Sequence, residues 1–505
     1  MKKQILGTFL CFILAAGLFA DEPKETNKPE FKPEFPKEVT SETKHSVTIN
    51  GNTIQYTATA GNIVLKEENG KPKASFFYIA YTKDGVKDPS TRPLTYSFNG
   101  GPGSSSVWLH MGVFGPKRVR MNDDGSAYKG SFGLDDNAYS ILDLTDLVFI
   151  DPVSTGYSRA VPGENTQQFH GFDEDIQSVG EFIRLYTTRA KRWGSPKFLA
   201  GESYGTTRAA GLVGWLQERH GMYFNGVVLF SVAIDFQTLE FQLGNDSPYM
   251  LFLPTYTSTA WYHKKLPPDL QANLQNAINE SRQFALNEYS VALMKGDQLS
   301  DSERSNIAQK LTRYTGLSQQ FIESCNLRIS DSRFFKELRR SERLTVGRLD
   351  SRFIGRDRDA AGEEAEYDPS YAAIQGSFTA NFNNYVRNEL KYESDITYEI
   401  LTGISDEWKP GRLAAGHYIN SSEPLRKAMT ENPALKIFVA NGLYDLATPF
   451  CATEYTFNHL GLDPSVRNNI SMHYYEAGHM MYINKPSLVQ LKSDLASFYQ
   501  TTLQK

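Results

Sequence analysis

Three cysteines in 505 residues are too few to staple a fold, so stability must come from buried apolar surface. One of them, Cys11, lies in the apolar opening of the chain. The other two, Cys325 and Cys451, permit one bridge or two buried thiols, and sequence does not choose between them. Charge of one sign is also lacking: 53 Lys and Arg stand against 58 Asp and Glu, a net −5. That balance offers no basic face to nucleic acid. Beyond the first twenty residues no apolar run spans a bilayer, and no fixed-period repeat occurs. Metal-ligand patterns are nearly absent. Asp357-Arg-Asp359-Ala-Ala-Gly362 opens like a calcium loop, but its third acidic ligand is missing and Asp368 stands where a glutamate is needed. It reads as a solvated charged loop, and no metal or cofactor is expected.

What is present is apolar content of 40%, enough for one domain with a large insertion or for two to three domains. Lys2 and Lys3 followed by the apolar run Ile5 to Ala20 form a secretory signal peptide, residues 1–20. Cleavage after Ala20 or after Gly17 suits it, and the mature chain is expected to be secreted or periplasmic, without membrane attachment. Prolines 23, 29, 33 and 36 make residues 21–40 an extended leader.

From His45 alternation predicts a hairpin turning at Gly51-Asn52, and a second hairpin turns at Asn69-Gly70. Short apolar runs follow at 94–98, 147–150, 197–200, 227–230, 436–440 and 470–475. Their lack of alternation suits strands buried on both faces of a mostly parallel sheet. Amphipathic helices are expected at 173–193 and 206–220, with a closing helix at 486–503. Between 235 and 384 the strand rhythm stops, and helices replace it, one opened by the capping box Ser300-x-x-Glu303 and ending near Gly316. The expectation is an α/β fold whose core runs over 41–234 and 385–505 and carries residues 235–384 as a helical lid.

Chemistry enters at Gly201-Glu202-Ser203-Tyr204-Gly205, after the predicted strand at 197–200 and before the predicted helix at 206. A turn that lifts a serine off a sheet needs that setting, with glycine on both sides where a Cβ would strike passing backbone. A serine hydroxyl also needs a histidine to take its proton and an acid to orient that imidazole. His479 follows the predicted strand at 470–475 in a short loop; His473 lies inside the strand, and the other histidines lack such a setting. Asp445 ends another strand-loop segment 34 positions (479 − 445) before His479. Asp151 also follows a strand but precedes the serine, out of the order Ser, Asp, His. Attack on a carbonyl requires donors for the oxygen's growing charge. The Tyr204 amide is one, and the loop Asn99-Gly100-Gly101-Pro102-Gly103-Ser104-Ser105 supplies another. A phosphate loop is the poorer reading, since Pro102 lacks a donor and no Gly-Lys-Ser/Thr follows.

Taken in order, Asn99 to Ser106, Phe149-Ile-Asp-Pro-Val-Ser-Thr-Gly-Tyr-Ser158, Gly201 to Gly205, Asn441 to Asp445 and Gly478-His479 resemble the serine carboxypeptidase family of α/β-hydrolases. The likeness is to a bacterial-type, secreted member. The resemblance implies a triad of Ser203, Asp445 and His479 and an oxyanion hole of the Gly101 and Tyr204 amides. It implies a peptide substrate held by Asn99, Gly100 and Glu202, with Asn99 and Glu202 on its terminal carboxylate, and a pocket shaped by the helical insertion. A carboxyl beside a carboxylate donates a hydrogen bond only when protonated, so Glu202 would favour acid pH. The family's second glutamate is replaced by Val113, and the cysteine of its glycine loop by Ser104. Val113 keeps an esterase or acyltransferase with the same triad in play. A non-catalytic binding protein on this scaffold is the reading of another class, although no triad member is missing. Oligomeric state is left open by the sequence.

Overall fold

The computed structural model describes residues 35–126, 133–411 and 418–504. The predicted signal peptide and most of the predicted leader lie outside the described residues. The first hairpin forms from β1 (Thr40–Ile49) and β2 (Asn52–Lys66). Its turn falls on Asn50 and Gly51, both with positive φ, one position earlier than predicted, because a two-residue turn needs φ > 0 at both central residues. The chain returns through β3 (Pro72–Lys83).

The remaining main strands are β4 (Leu94–Phe98), β5 (Asp146–Ile150), β6 (Lys197–Ser203), β7 (Gly226–Val232), β8 (Lys436–Gly442) and β9 (Ile470–Tyr475). They join one sheet in the order β1-β2-β3-β5-β4-β6-β7-β8-β9. The first three strands are antiparallel to their neighbours, and the six from β5 to β9 are parallel. Strand residues alternate between two cores. Phe198, Ala200, Val228, Phe230 and Phe438 face one, while Leu199, Val227, Leu229, Ile437 and Val439 face the other. Helices cover both sides, which is why these strands carry continuous apolar runs. On one face lie α1 (Phe172–Arg189), α2 (Tyr204–His220) and α3 (Ser422–Glu431); on the other, α4 (Lys485–Leu503).

β9 departs from expectation. Among the described residues it is the edge strand, paired with β8 alone, and only Tyr475 of its six residues is buried. An apolar run reads the same whether a second neighbour covers it or not.

After β7 come helices including Ser247–Tyr262, Leu274–Phe284, Asp301–Thr315 and Pro369–Asn388. Several of them share a core of their own around Phe252, Tyr256, Phe284, Leu311 and Phe334. Ser300 and Glu303 form the reciprocal capping box, and Gly316 closes the helix in the left-handed conformation. The charged loop is less solvated than its composition suggests. Asp357 is a buried ion-pair partner of Lys336, and Asp359 accepts from the Ala361 and Gly362 amides. Cys325 and Cys451 are both buried and free.

Candidate active site

The end of β6 delivers Ser203 to the mouth of the sheet at φ 59° and ψ −130°, a strained conformation for a residue with a Cβ. Compression around the turn explains its glycines. A Cβ on Gly201 would lie 2.1 Å from Gly205 O, and one on Gly205 would lie 2.9 Å from Phe98 O. The Tyr204 N–H, in the first turn of α2, has no intrahelical acceptor and sits where the helix dipole favours negative charge.

The glycine loop after β4 presses on this turn. A Cβ on Gly100 would meet Tyr204 N at 2.3 Å and Gly205 N at 2.7 Å, so only glycine lets the two backbones approach. Gly101 follows at φ 105°. Underneath, Arg208 of α2 donates to Asn99 O at 2.5 Å and to Asp175 of α1 at 2.7 Å. The ion pair is fully buried and ties the loop to both helices.

The loops after β8 and β9 bring in the other two predicted residues. His479 Nδ1 lies 2.8 Å from Asp445 Oδ2. Asp445 also accepts from the Ala447 amide at 2.8 Å, the Thr448 amide at 3.0 Å and the Thr448 hydroxyl at 2.7 Å. With Nδ1–H donated to Asp445, Nε2 is the free basic atom of the ring. Burial alone would depress the His479 pKa, but the Asp445 carboxylate outweighs it and holds the ring above its ordinary value. His479 N donates to Leu349 O at 2.6 Å and Gly478 N to Asp350 at 3.1 Å. A strip of the helical insertion thus fixes the histidine loop.

Ser203 and His479 line the same cavity of about 430 Å³, together with Asn99, Gly100, Gly101 and Glu202. No hydrogen bond joins Ser203 to His479 among the described residues, as is common for a catalytic contact that tightens on substrate binding. The opposite wall includes Arg348, Leu349, Tyr371 and Ile374 from the insertion. A third side is Leu401 to Ser405, fastened to the glycine loop through Ser105 N to Ile400 O at 3.0 Å.

Glu202 is 3% exposed. Its Oε1 accepts from Asn99 Nδ2 at 2.9 Å, and Asn99 Oδ1 accepts from Leu109 N at 3.1 Å. Burial pushes the Glu202 carboxyl up to about 7 against the opposing pull of His479, Tyr482 and Asn99. Val113 is buried and apolar.

All eight residues singled out from sequence are therefore gathered at one cavity or on its immediate frame. Sequence reasoning missed Thr448, Arg348, Leu349, Tyr482 and Trp408, whose indole donates to the Tyr204 hydroxyl at 2.9 Å. Asp445-x-x-Thr448 carried a legible pattern, an aspartate capping the turn that follows it. The others come from distant segments without a motif.

A mostly parallel sheet bearing a serine on a strand-to-helix turn, with a histidine and an aspartate on loops after its last two strands, defines an α/β-hydrolase. The serine carboxypeptidase model matches residues 52–485, and the chain belongs to that family. Pheromone-processing carboxypeptidase KEX1 of Saccharomyces cerevisiae is 34% identical over 126 residues, which is 24% of this chain and only 16% of that protein's length. Serine carboxypeptidase-like 27 of Arabidopsis thaliana is 24% identical over 421 residues, 81% of this chain and 77% of its own. The crystal structure of KEX1(Δ)p, a prohormone-processing carboxypeptidase from Saccharomyces cerevisiae, aligns with a TM-score of 0.53 at 17% identity. It covers 88% of this chain and 91% of its own, a likeness of fold.

Proposed function

We propose that the protein is a serine-type carboxypeptidase that removes C-terminal residues from peptides, and that it acts as a secreted or periplasmic enzyme of the bacterial type. The observation that carries the reading is one cavity lined by Ser203, His479 and the buried Glu202–Asn99 pair. The apolar run after Lys2 and Lys3 supports export. No helix among the described residues is long and apolar enough to cross a membrane.

Ser203 Oγ attacks the carbonyl of the last peptide bond while His479 Nε2 takes its proton. The Gly101 and Tyr204 amides receive the developing oxyanion. His479 then protonates the leaving amine, and the acyl group stays on Ser203. Water, deprotonated by the same ring, attacks this ester and frees the shortened peptide. Asp445 holds the imidazole tautomer throughout. Asn99, Gly100 and protonated Glu202 bind the substrate's terminal carboxylate, and the insertion at 235–384 shapes the wall over it.

The test compares a peptide with its C-terminally amidated form. The free acid should be cleaved with kcat/KM higher by roughly 10²-fold or more, as expected for two charge-assisted hydrogen bonds. Equal rates would refute carboxylate recognition. They would favour the second reading, an esterase or acyltransferase, which the buried apolar Val113 supports. Labelling by a fluorophosphonate that disappears in Ser203→Ala checks the nucleophile, and no labelling of the wild type would favour a binding protein.

A further inference from the structure

Beneath the cavity two buried polar atoms, Glu202 Oε2 and Tyr482 Oη, have no close hydrogen-bond partner among the described residues. They face each other: the Tyr482 hydroxyl interacts with the Glu202 carboxyl both by charge and as a hydrogen-bonding group, and it lies beside Asn99 as well. Tyr482 stands three positions after His479 in the same loop and is 0% exposed. Arg118 anchors the backbone here, donating to the Tyr482 carbonyl at 3.1 Å. The ring fits because position 112 is glycine: a Cβ there would lie 2.4 Å from Tyr482 Cε2. A buried carboxyl oxygen and a buried hydroxyl are both unfavourable without a close partner, so the two side by side mark a contact that tightens when the carboxyl carries charge.

We propose that Tyr482 is a positioning residue for substrate recognition: its hydroxyl donates to Glu202 Oε2 when that carboxyl ionises, and so sets the upper pH limit for binding a substrate carboxylate. The inference rests on the carboxypeptidase reading, in which protonated Glu202 meets that carboxylate. Asn99 holds Oε1, and Tyr482 is the matching donor for Oε2. The charged groups around Glu202 are His479 and Asp445, with Arg348 across the cavity. Val113, from the turn that also carries Gly112, is apolar and brings no second carboxyl. A donor to the charged form favours ionisation, so Tyr482 draws the titration of Glu202 toward lower pH, and its removal moves it upward.

The experiment measures KM and kcat for a peptide acid and its amide between pH 4 and 9 in wild type, Tyr482→Phe and Glu202→Gln. In the wild type, KM for the acid should rise as pH passes about 7, where Glu202 loses its proton. In Tyr482→Phe the rise should move upward by about one unit, and in Glu202→Gln it should vanish. A KM rise left at its wild-type pH in Tyr482→Phe overturns the inference, as does a uniform loss of kcat with no movement of the inflection. Infrared titration of the Glu202 carboxyl, taken as wild type minus Glu202→Gln, reads the same inflection without turnover. Repeated in the Tyr482→Phe background, it should show the upward move. If wild type cleaves acid and amide equally, the carboxypeptidase reading falls, while the infrared titration still decides whether Tyr482 acts on Glu202.

Discussion

Replacing Glu202 with glutamine should make the stability of this protein less sensitive to alkali. The fold raises the Glu202 carboxyl from an ordinary 4.5 to about 7, chiefly because burial penalises the charge. Below pH 4.5 the carboxyl is protonated in both folded and unfolded chains, and no stability depends on it. Between 4.5 and 7 the unfolded chain releases the proton while the folded chain keeps it, so rising pH favours unfolding. Above 7 the loss is complete. At 1.36 kcal/mol for each tenfold change in proton affinity, that rise amounts to about 3 kcal/mol, a large share of a typical folding free energy. Glutamine does not titrate, and its geometry suits the site: the amide oxygen accepts from Asn99 and the amide nitrogen donates to the neighbouring Tyr482 hydroxyl. Urea unfolding of both proteins from pH 4 to 9 should show the stability difference moving in favour of Glu202→Gln by about 3 kcal/mol between pH 4.5 and 7, then levelling. A difference that stays constant across that range would refute the reasoning.

The same substitution should lower the pH of the acid limb of kcat/KM. Ionised Glu202 raises the His479 pKa, so removing that charge lets the ring lose its proton at lower pH. Ser203→Gly should abolish activity while stabilising the fold by about 1–3 kcal/mol in thermal unfolding, because φ 59° costs a side-chain-bearing residue what glycine avoids. Gly100→Ala should lower kcat by roughly 10²–10³-fold in steady-state assays, as its Cβ, 2.3 Å from Tyr204 N, drives the glycine loop off the nucleophile turn. Arg208→Met should destabilise by about 3–5 kcal/mol in urea, since Asp175 is left buried without its cation.

Much of the site was legible because its parts are local. Gly201 and Gly205 flank Ser203 within five residues, and a sharp turn against a strand leaves glycine little alternative. His479 and Asp445 each follow an apolar run by a few positions, so placing the run places the residue. The edge character of β9 was not legible, since exposure depends on which neighbour is missing rather than on the run itself. Nor was the burial of Asp357, which depends on Lys336, 21 residues away in sequence.

The chain by itself determined the α/β alternation, the serine turn and the order of Ser203, Asp445 and His479 after their strands, because each rests on periodicity or on backbone sterics within a few residues. Tertiary structure alone decided what surrounds Glu202. The sequence shows Val113 where a second acid would stand, which reads as a missing partner. The fold brings Tyr482 beneath the same carboxyl, past Gly112, from a loop 280 positions later (482 − 202). A buried group's protonation depends on every neighbour that burial brings within a few ångströms, and such neighbours are chosen by packing, not by spacing.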